Sequence, residues 1–173
     1  LMNHEHLLEN NLSELSTLLK AVTPAQRTEV VQIAIAAADC LKNGGTIFWC
    51  GNGGSAADSL HLSAELIGRL VNNRLPISSI ALTADIAALT CISNDFGYET
   101  IFSRQLEGLA NSGDFLITLS TSGESENVIQ CVQKAREIGV DSASLLGKSG
   151  GRQRKLSDFE VIVDSQTTAR IQE

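Results

Sequence analysis

Leucines at positions 7, 8, 12, 15, 18 and 19 recur among polar residues at spacings of one, three and four. Those spacings bring them to one side of a helix, so residues 5–21 are expected to form an amphipathic helix. Thr23-Pro24 places a capping residue before a proline at the first helical position, which opens a second helix that runs to about Leu41 and ends at Lys42-Asn43-Gly44-Gly45. Beyond it the pattern changes. Short apolar runs at 46–50, 77–82, 115–119, 142–146 and 159–163 alternate with helical segments that begin at Ser55, Ala84 and Ser125. Strands alternating with helices predict an α/β fold, a three-layer αβα sandwich around a central parallel sheet of about five strands. Thr168-Ala169-Arg170-Ile171-Gln172-Glu173 reads as the opening of one more helix.

At 173 residues the chain is expected to be one domain, 1–173, with a helical segment at 2–44 and an α/β core at 45–173. Met2 is the expected natural start, and a C-terminal helix is expected to continue past 173. A hydrophobic fraction of 43% is enough for a substantial core. The net charge of −7, with no long run of Lys or Arg, argues against a nucleic-acid partner. No apolar run approaches the ~20 residues of a membrane span and the N-terminal residues are polar, so no membrane partner and a cytoplasmic location are expected. Cys40, Cys50, Cys91 and Cys131 lack the spacing of a metal or redox pair, and reduced thiols are the expectation.

Candidate chemistry sits where strands end. Gly51-Asn52-Gly53-Gly54-Ser55 joins the first strand to a helix, and its glycines allow close backbone approach to a ligand while the helix amides favour an anion. Ser55 is expected to cap that helix. His61 and Glu65, four apart, place two proton-transfer or metal-binding groups on one helix face about 5 to 6 Å apart. Taken alone they read more readily as a surface pair; the loop before them tips the balance toward function. After the third strand, Ser120-Thr121-Ser122-Gly123-Glu124-Ser125 offers four hydroxyls at another helix start. Capping accounts for one or two of these, and the excess favours a phosphate. The loop has no Walker lysine, the glycine loop departs from the dinucleotide Gly-x-Gly-x-x-Gly spacing, and no Gly-x-Ser-x-Gly elbow occurs, so no nucleotide cofactor and no serine hydrolase are expected.

Six segments in order carry a resemblance: 50–58 around Gly51-Asn52-Gly53-Gly54-Ser55, His61-x-x-x-Glu65, Asn94-Asp95-Phe96-Gly97, Phe102-Ser103-Arg104-Gln105, Ser120–Ser125, and 168–173. Together they resemble the sugar isomerase (SIS) domain family, flavodoxin-like in fold, and within it the bacterial phosphoheptose isomerases. The resemblance implies a homotetramer, with the N-terminal helices packed in the oligomer. It implies aldose-ketose isomerisation of sedoheptulose 7-phosphate to D-glycero-D-manno-heptose 7-phosphate through an enediol, the first step toward the heptose of lipopolysaccharide or other surface glycans. It assigns the base to Glu65 and the phosphate to Ser120, Thr121, Ser122 and Ser125. Asn52, Gly53, Gly54, Asn94 and Asp95 would contact the sugar, Ser55 would close the pocket, and Gln172 would join the substrate site. His61, Glu65 and Gln172 match residues that bind zinc in some members, so one zinc per subunit is an expectation. The same resemblance places a histidine about two helical turns past Gln172 as general acid. The domain also occurs in a non-catalytic regulator, the DnaA initiator-associating protein, and a phosphosugar sensor would use similar loops. Glu65, Gly53-Gly54-Ser55 and Ser122-Gly123 favour the enzyme.

Overall fold

The computed structural model describes residues 4–172. Its elements are α1 (His4–Ala21), α2 (Pro24–Lys42), β1 (Ile47–Gly51), α3 (Gly54–Ile67), β2 (Ser79–Ala81), α4 (Ile86–Phe96), α5 (Ile101–Leu109), β3 (Phe115–Ser120), α6 (Glu126–Glu137), β4 (Asp141–Gly147), β5 (Phe159–Val163) and α7 (Thr168–Gln172), with 3-10 turns at Tyr98–Thr100 and Gly151–Gln153. The five strands pair in parallel in the order β2-β1-β3-β4-β5. Parallel strands need crossovers, and the helices that supply them cover both faces, which is why the strands read as apolar runs rather than alternating ones.

The pleat divides β1 between two cores. Phe48 and Cys50 pack with Ile101, Phe102 and Leu106 of α5 and with Val128, Cys131 and Val132 of α6. Ile47 and Trp49 face the other way, toward Ile33 and Cys40 of α2 and Leu62 and Leu66 of α3. Trp49 is buried there, its indole N–H donating to Ser79 Oγ at 2.9 Å, while Ser79 Oγ in turn donates to Ser63 Oγ at 3.1 Å.

The capping box expected at Thr23 forms: the Gln26 amide N–H donates to Thr23 Oγ1 and the Thr23 N–H donates to Gln26 Oε1. Ser55 does not cap α3. The N-cap is Gly53, at φ 57, a left-handed conformation that glycine adopts without steric cost, and Ser55 lies buried in the first turn. Residues 84 and 85 precede α4 rather than belonging to it, because Asp85 caps it by accepting from Ala88 N–H at 2.9 Å. Ser125 is likewise the N-cap of α6.

Helix α5 is absent from the sequence pattern. Its buried side includes Ser103 and Gln105, and Gln105 Nε2 donates to the carbonyls of Leu82 and Ile101 at 2.9 and 2.8 Å, so polar residues interrupt the apolar periodicity. Helix α1 has the expected stripe but buries none of its residues against the rest of the chain; Leu7, Leu8, Leu12 and Leu19 are exposed. No helix among the described residues is long and apolar enough to cross a membrane. Cys40, Cys50 and Cys131 are buried and Cys91 is exposed, all as free thiols.

Candidate active site

In the strand order 2-1-3-4-5 the chain steps outward from β1 to β2 and then back across it to β3, so a crevice opens outside the carboxyl ends of β1 and β3. Both loops singled out in the sequence fall there. The Gly51–Gly53 turn leaves β1, and Ser120–Ser125 leaves β3, whose Leu119 is in register with Gly51. The two are tied together. Asn52 Nδ2 donates to Asn127 Oδ1 at 2.8 Å, Asn127 Nδ2 donates back to Asn52 Oδ1 at 2.9 Å, and Tyr98 Oη donates to the same Asn52 oxygen at 3.0 Å. The Asn52 carboxamide is therefore mostly engaged, with one amide hydrogen left for a ligand.

Two cavities flank Asn52 and Tyr98. One, of about 510 Å³, is lined by Gly51, Gly53, Thr83, Asn94 and Phe102 among others; the second, of about 390 Å³, reaches Ser125, Glu126 and Asn127. A third, of about 300 Å³, lies across the ends of β3 and β4 under α7, bordered by Ser55, Asp58, Ser120, Thr121 and Gln172. Asp95 stands outside all three on the exposed side of α4, accepting from Asn94 Nδ2 at 2.7 Å.

Within the serine loop, Ser120 Oγ accepts from Gly123 N–H at 3.0 Å and Ser122 Oγ accepts from Glu124 N–H at 3.2 Å, bonds that fold the loop on itself. Ser125 makes no side-chain cap. Val128 is the first amide of α6 to find an acceptor on the N-cap carbonyl, at 3.1 Å, so the Glu126 and Asn127 N–H groups precede the helical ladder, as the first amides of a helix do. Hydroxyls and amide dipoles directed this way stabilise an oxyanion.

The face that α3 presents is set by its small buried residues. Ser55, Ser59 and Ser63 line the inner side, letting the helix close on the sheet, with Ser59 Oγ bonded to the Ser55 carbonyl at 2.8 Å. Gly54, Asp58, His61 and Glu65 form a second stripe along the helix, at successive spacings of three and four. Gln172 meets this stripe at its start: its carboxamide occupies the space a side chain at position 54 would need. Further along, His61 Nδ1 is 3.9 Å from Glu65 Oε1, with His61 exposed and Glu65 about two-thirds covered.

Gly54 and His61 are separated by roughly 10 Å of helix rise. Gln172 is thus placed beside Gly54, at the start of the stripe that carries His61 and Glu65, and the described residues contain no group of three or more His, Cys, Asp or Glu able to hold a metal. Glu65 borders a separate cavity of about 350 Å³ with Trp49, Leu62 and Arg74, where Arg74 donates to the carbonyls of Glu65 and Leu66 at 2.6 and 2.7 Å.

Tyr98, Asn127, Arg152 and Gln153 were not legible as site residues. The glycine-rich turn at 147–151 after β4, a third strand-end loop, was the available signal for the last two. Gln153 is buried, its Nε2 bonded to Thr118 Oγ1 and Ser144 Oγ at 2.8 Å each and its Oε1 without a partner.

The SIS domain model matches residues 11–147, and the chain belongs to the SIS domain family. It is an enzyme of the isomerase class. The phosphoheptose isomerase of a Nitratiruptor species is 46% identical over 169 residues, covering 98% of this chain and 90% of that protein. The structure of phosphoheptose isomerase GmhA from Neisseria gonorrhoeae aligns with a TM-score of 0.90 at 36% identity, covering 98% of this chain and 92% of that one. A phosphoheptose isomerase from Francisella tularensis aligns with a TM-score of 0.94 at 32% identity, covering 99% and 91%.

Proposed function

We propose that the chain isomerises sedoheptulose 7-phosphate to D-glycero-D-manno-heptose 7-phosphate. The observation that carries this reading is the pairing of a hydroxyl-rich helix start, Ser120–Ser125, with the glycine loop of β1 at the sheet's switch point, in a chain so similar to phosphoheptose isomerases. Ser120, Thr121, Ser122 and Ser125 hold the phosphate, while Gly53, Gly54, Asn52, Asn94 and Asp95 line the sugar.

In the reaction, a base takes a proton from C1 of the ketose; the electron pair of that C–H bond forms the C1–C2 double bond of an enediol as the C2 oxygen gains a proton. Return of a proton to C2 and loss of one from the C1 hydroxyl give the aldose, so hydrogen is conserved. Glu65 is the base in this proposal. It stands about 16 Å of helix rise beyond Gly54 and opens onto another cavity, so the loops of one subunit and Glu65 of a second are brought together by assembly. The exposed leucine stripe of α1 supports such an assembly, a homotetramer in this reading. Zinc, where bound, would take His61, Glu65 and Gln172 as donors; no step above depends on it.

The test is direct: incubate the protein with sedoheptulose 7-phosphate, with and without chelator, and follow the aldose. Formation of heptose 7-phosphate supports the reading, and its absence in both conditions removes it. Ser120→Ala combined with Ser125→Ala is expected to raise KM about ten-fold or more, two hydrogen bonds to a charged ligand being lost. An unchanged KM places the phosphate elsewhere.

A further inference from the structure

The serine loop has no cation of its own and carries two acids, Glu124 within it and Glu126 just after it. Both stand where they would repel a bound dianion. Arg152, from the 3-10 turn after β4, meets both. Its Nε lies 2.9 Å from Glu124 Oε2 and its Nη1 2.9 Å from Glu126 Oε2, while Nη2 donates to the Glu124 carbonyl at 3.0 Å and its backbone N–H to Glu124 Oε1 at 3.1 Å. One residue thus binds both carboxylates and the loop's main chain.

The contact continues through the backbone. Gln153 N–H donates to the Gly123 carbonyl at 2.9 Å, and the buried Gln153 amide anchors the turn to Thr118 of β3 and Ser144 of β4. Neither loop has room for a side chain where they meet. A Cβ on Gly123, at φ 66, would collide with the Gly150 carbonyl, and one on Gly151 would come within 2.6 Å of Ser122 O and Glu124 Oε1. The main chain at Arg152 is therefore held in place by the fold, and its half-exposed guanidinium is shared by two carboxylates and a carbonyl, so its ordering cost is spread over three contacts rather than one as in a solitary surface pair.

We propose that Arg152 is a positioning residue for the phosphosugar site: it offsets about half of the negative charge of Glu124 and Glu126 and fixes the Ser120–Ser125 backbone in its anion-binding shape. The inference rests on the reading that the phosphate occupies that loop. The guanidinium stays on the two carboxylates and does not itself contact substrate.

The experiment measures inorganic phosphate binding by calorimetry, and KM and kcat for sedoheptulose 7-phosphate, at low salt and at about 0.5 M salt, where exposed charges are largely screened. Four forms are compared: the unaltered protein, Arg152→Met, Glu124→Gln with Glu126→Gln, and all three substitutions together. Arg152→Met is expected to weaken phosphate and raise KM on the order of five-fold at low salt, with kcat held, and the effect should shrink at high salt. Glu124→Gln with Glu126→Gln should tighten phosphate in the native background and restore it in the Arg152→Met background. Unchanged affinity in Arg152→Met, or a loss that neither salt nor the glutamines relieve, overturns the proposal. Ser120→Ala with Ser125→Ala run alongside separates the two readings. If that variant also leaves phosphate binding intact, the phosphate site itself is misplaced; if it weakens binding while Arg152→Met does not, only the role of Arg152 fails.

Discussion

Replacing Asn127 by alanine cuts the cross-link between the two loops that form the crevice. The Asn127 carboxamide exchanges two hydrogen bonds with Asn52, at 2.8 and 2.9 Å, and accepts a third from Val128 N–H at 3.0 Å. Val128 keeps its bond to the Ser125 carbonyl, so that loss is covered. Asn52 is only partly buried and can turn its amide to water, so little desolvation cost is added. Two inter-loop bonds at about 1 kcal/mol each give about 2 kcal/mol, close to 30-fold in the unfolding equilibrium. In a chain of this size that corresponds to about 4–8 °C in Tm.

Trp49, the single tryptophan and a buried one, reports unfolding by fluorescence in urea, with protein concentration held fixed because any self-association would make the midpoint depend on it. Asn52→Ala should cost slightly more, because the Tyr98 bond goes as well. The double variant should cost no more than Asn52→Ala alone, a coupling of about 2 kcal/mol. Strictly additive losses would refute the reasoning, since they would mean the two carboxamides do not act on one another.

Glu65→Gln is expected to abolish isomerisation while phosphosugar binding, read by calorimetry, persists; measurable turnover would remove Glu65 as the base. Gly54→Ala should displace the Gln172 carboxamide with little loss of stability, because only the end of a flexible side chain must yield, and proteolysis near residue 170 should quicken as α7 loosens. Thiol labelling at neutral pH should modify Cys91 first, with Cys40 and Cys131 reacting only on unfolding. Burial pushes both thiols up, Cys40 further through Asp114 and Asp141, and Cys131 further through Cys50. The unfolded thiols ionise near about 8.5, so above that pH the unfolded chain loses protons the native one keeps, and stability should fall as pH rises. A urea midpoint that climbed between about pH 8 and 10 would contradict this.

The order of elements was legible because each rests on local chemistry: Thr23-Pro24 with Gln26 starts α2, and unbroken apolar runs mark strands buried on both faces. Helix α5 was illegible because Gln105 satisfies its buried amide on the Leu82 carbonyl, a partner 23 residues away that no local window contains. The same limit hid Asn127 and Arg152, whose roles exist only once separate loops meet. Ser55 has the side chain of a cap but not the position, because capping depends on backbone angle, and Gly53 takes the left-handed turn one position before the helix begins.

Sequence alone determined the chemistry at hand. It supplied hydroxyls and glycines at two strand ends, a His and a Glu four apart on a helix, and no cation in the loop Ser120–Ser125. Spacing along one helix or one loop fixes those relations, since they depend on rise and rotation per residue. Tertiary structure decided which groups face one another. It joined Asn52 to Asn127 across β1 and β3, brought Arg152 onto Glu124 and Glu126, set Gln172 against Gly54, and turned Glu65 toward a different cavity from the loops. Those placements follow from strand order and from the small serines that seat α3 on the sheet, and both are properties of the packed chain rather than of any one segment.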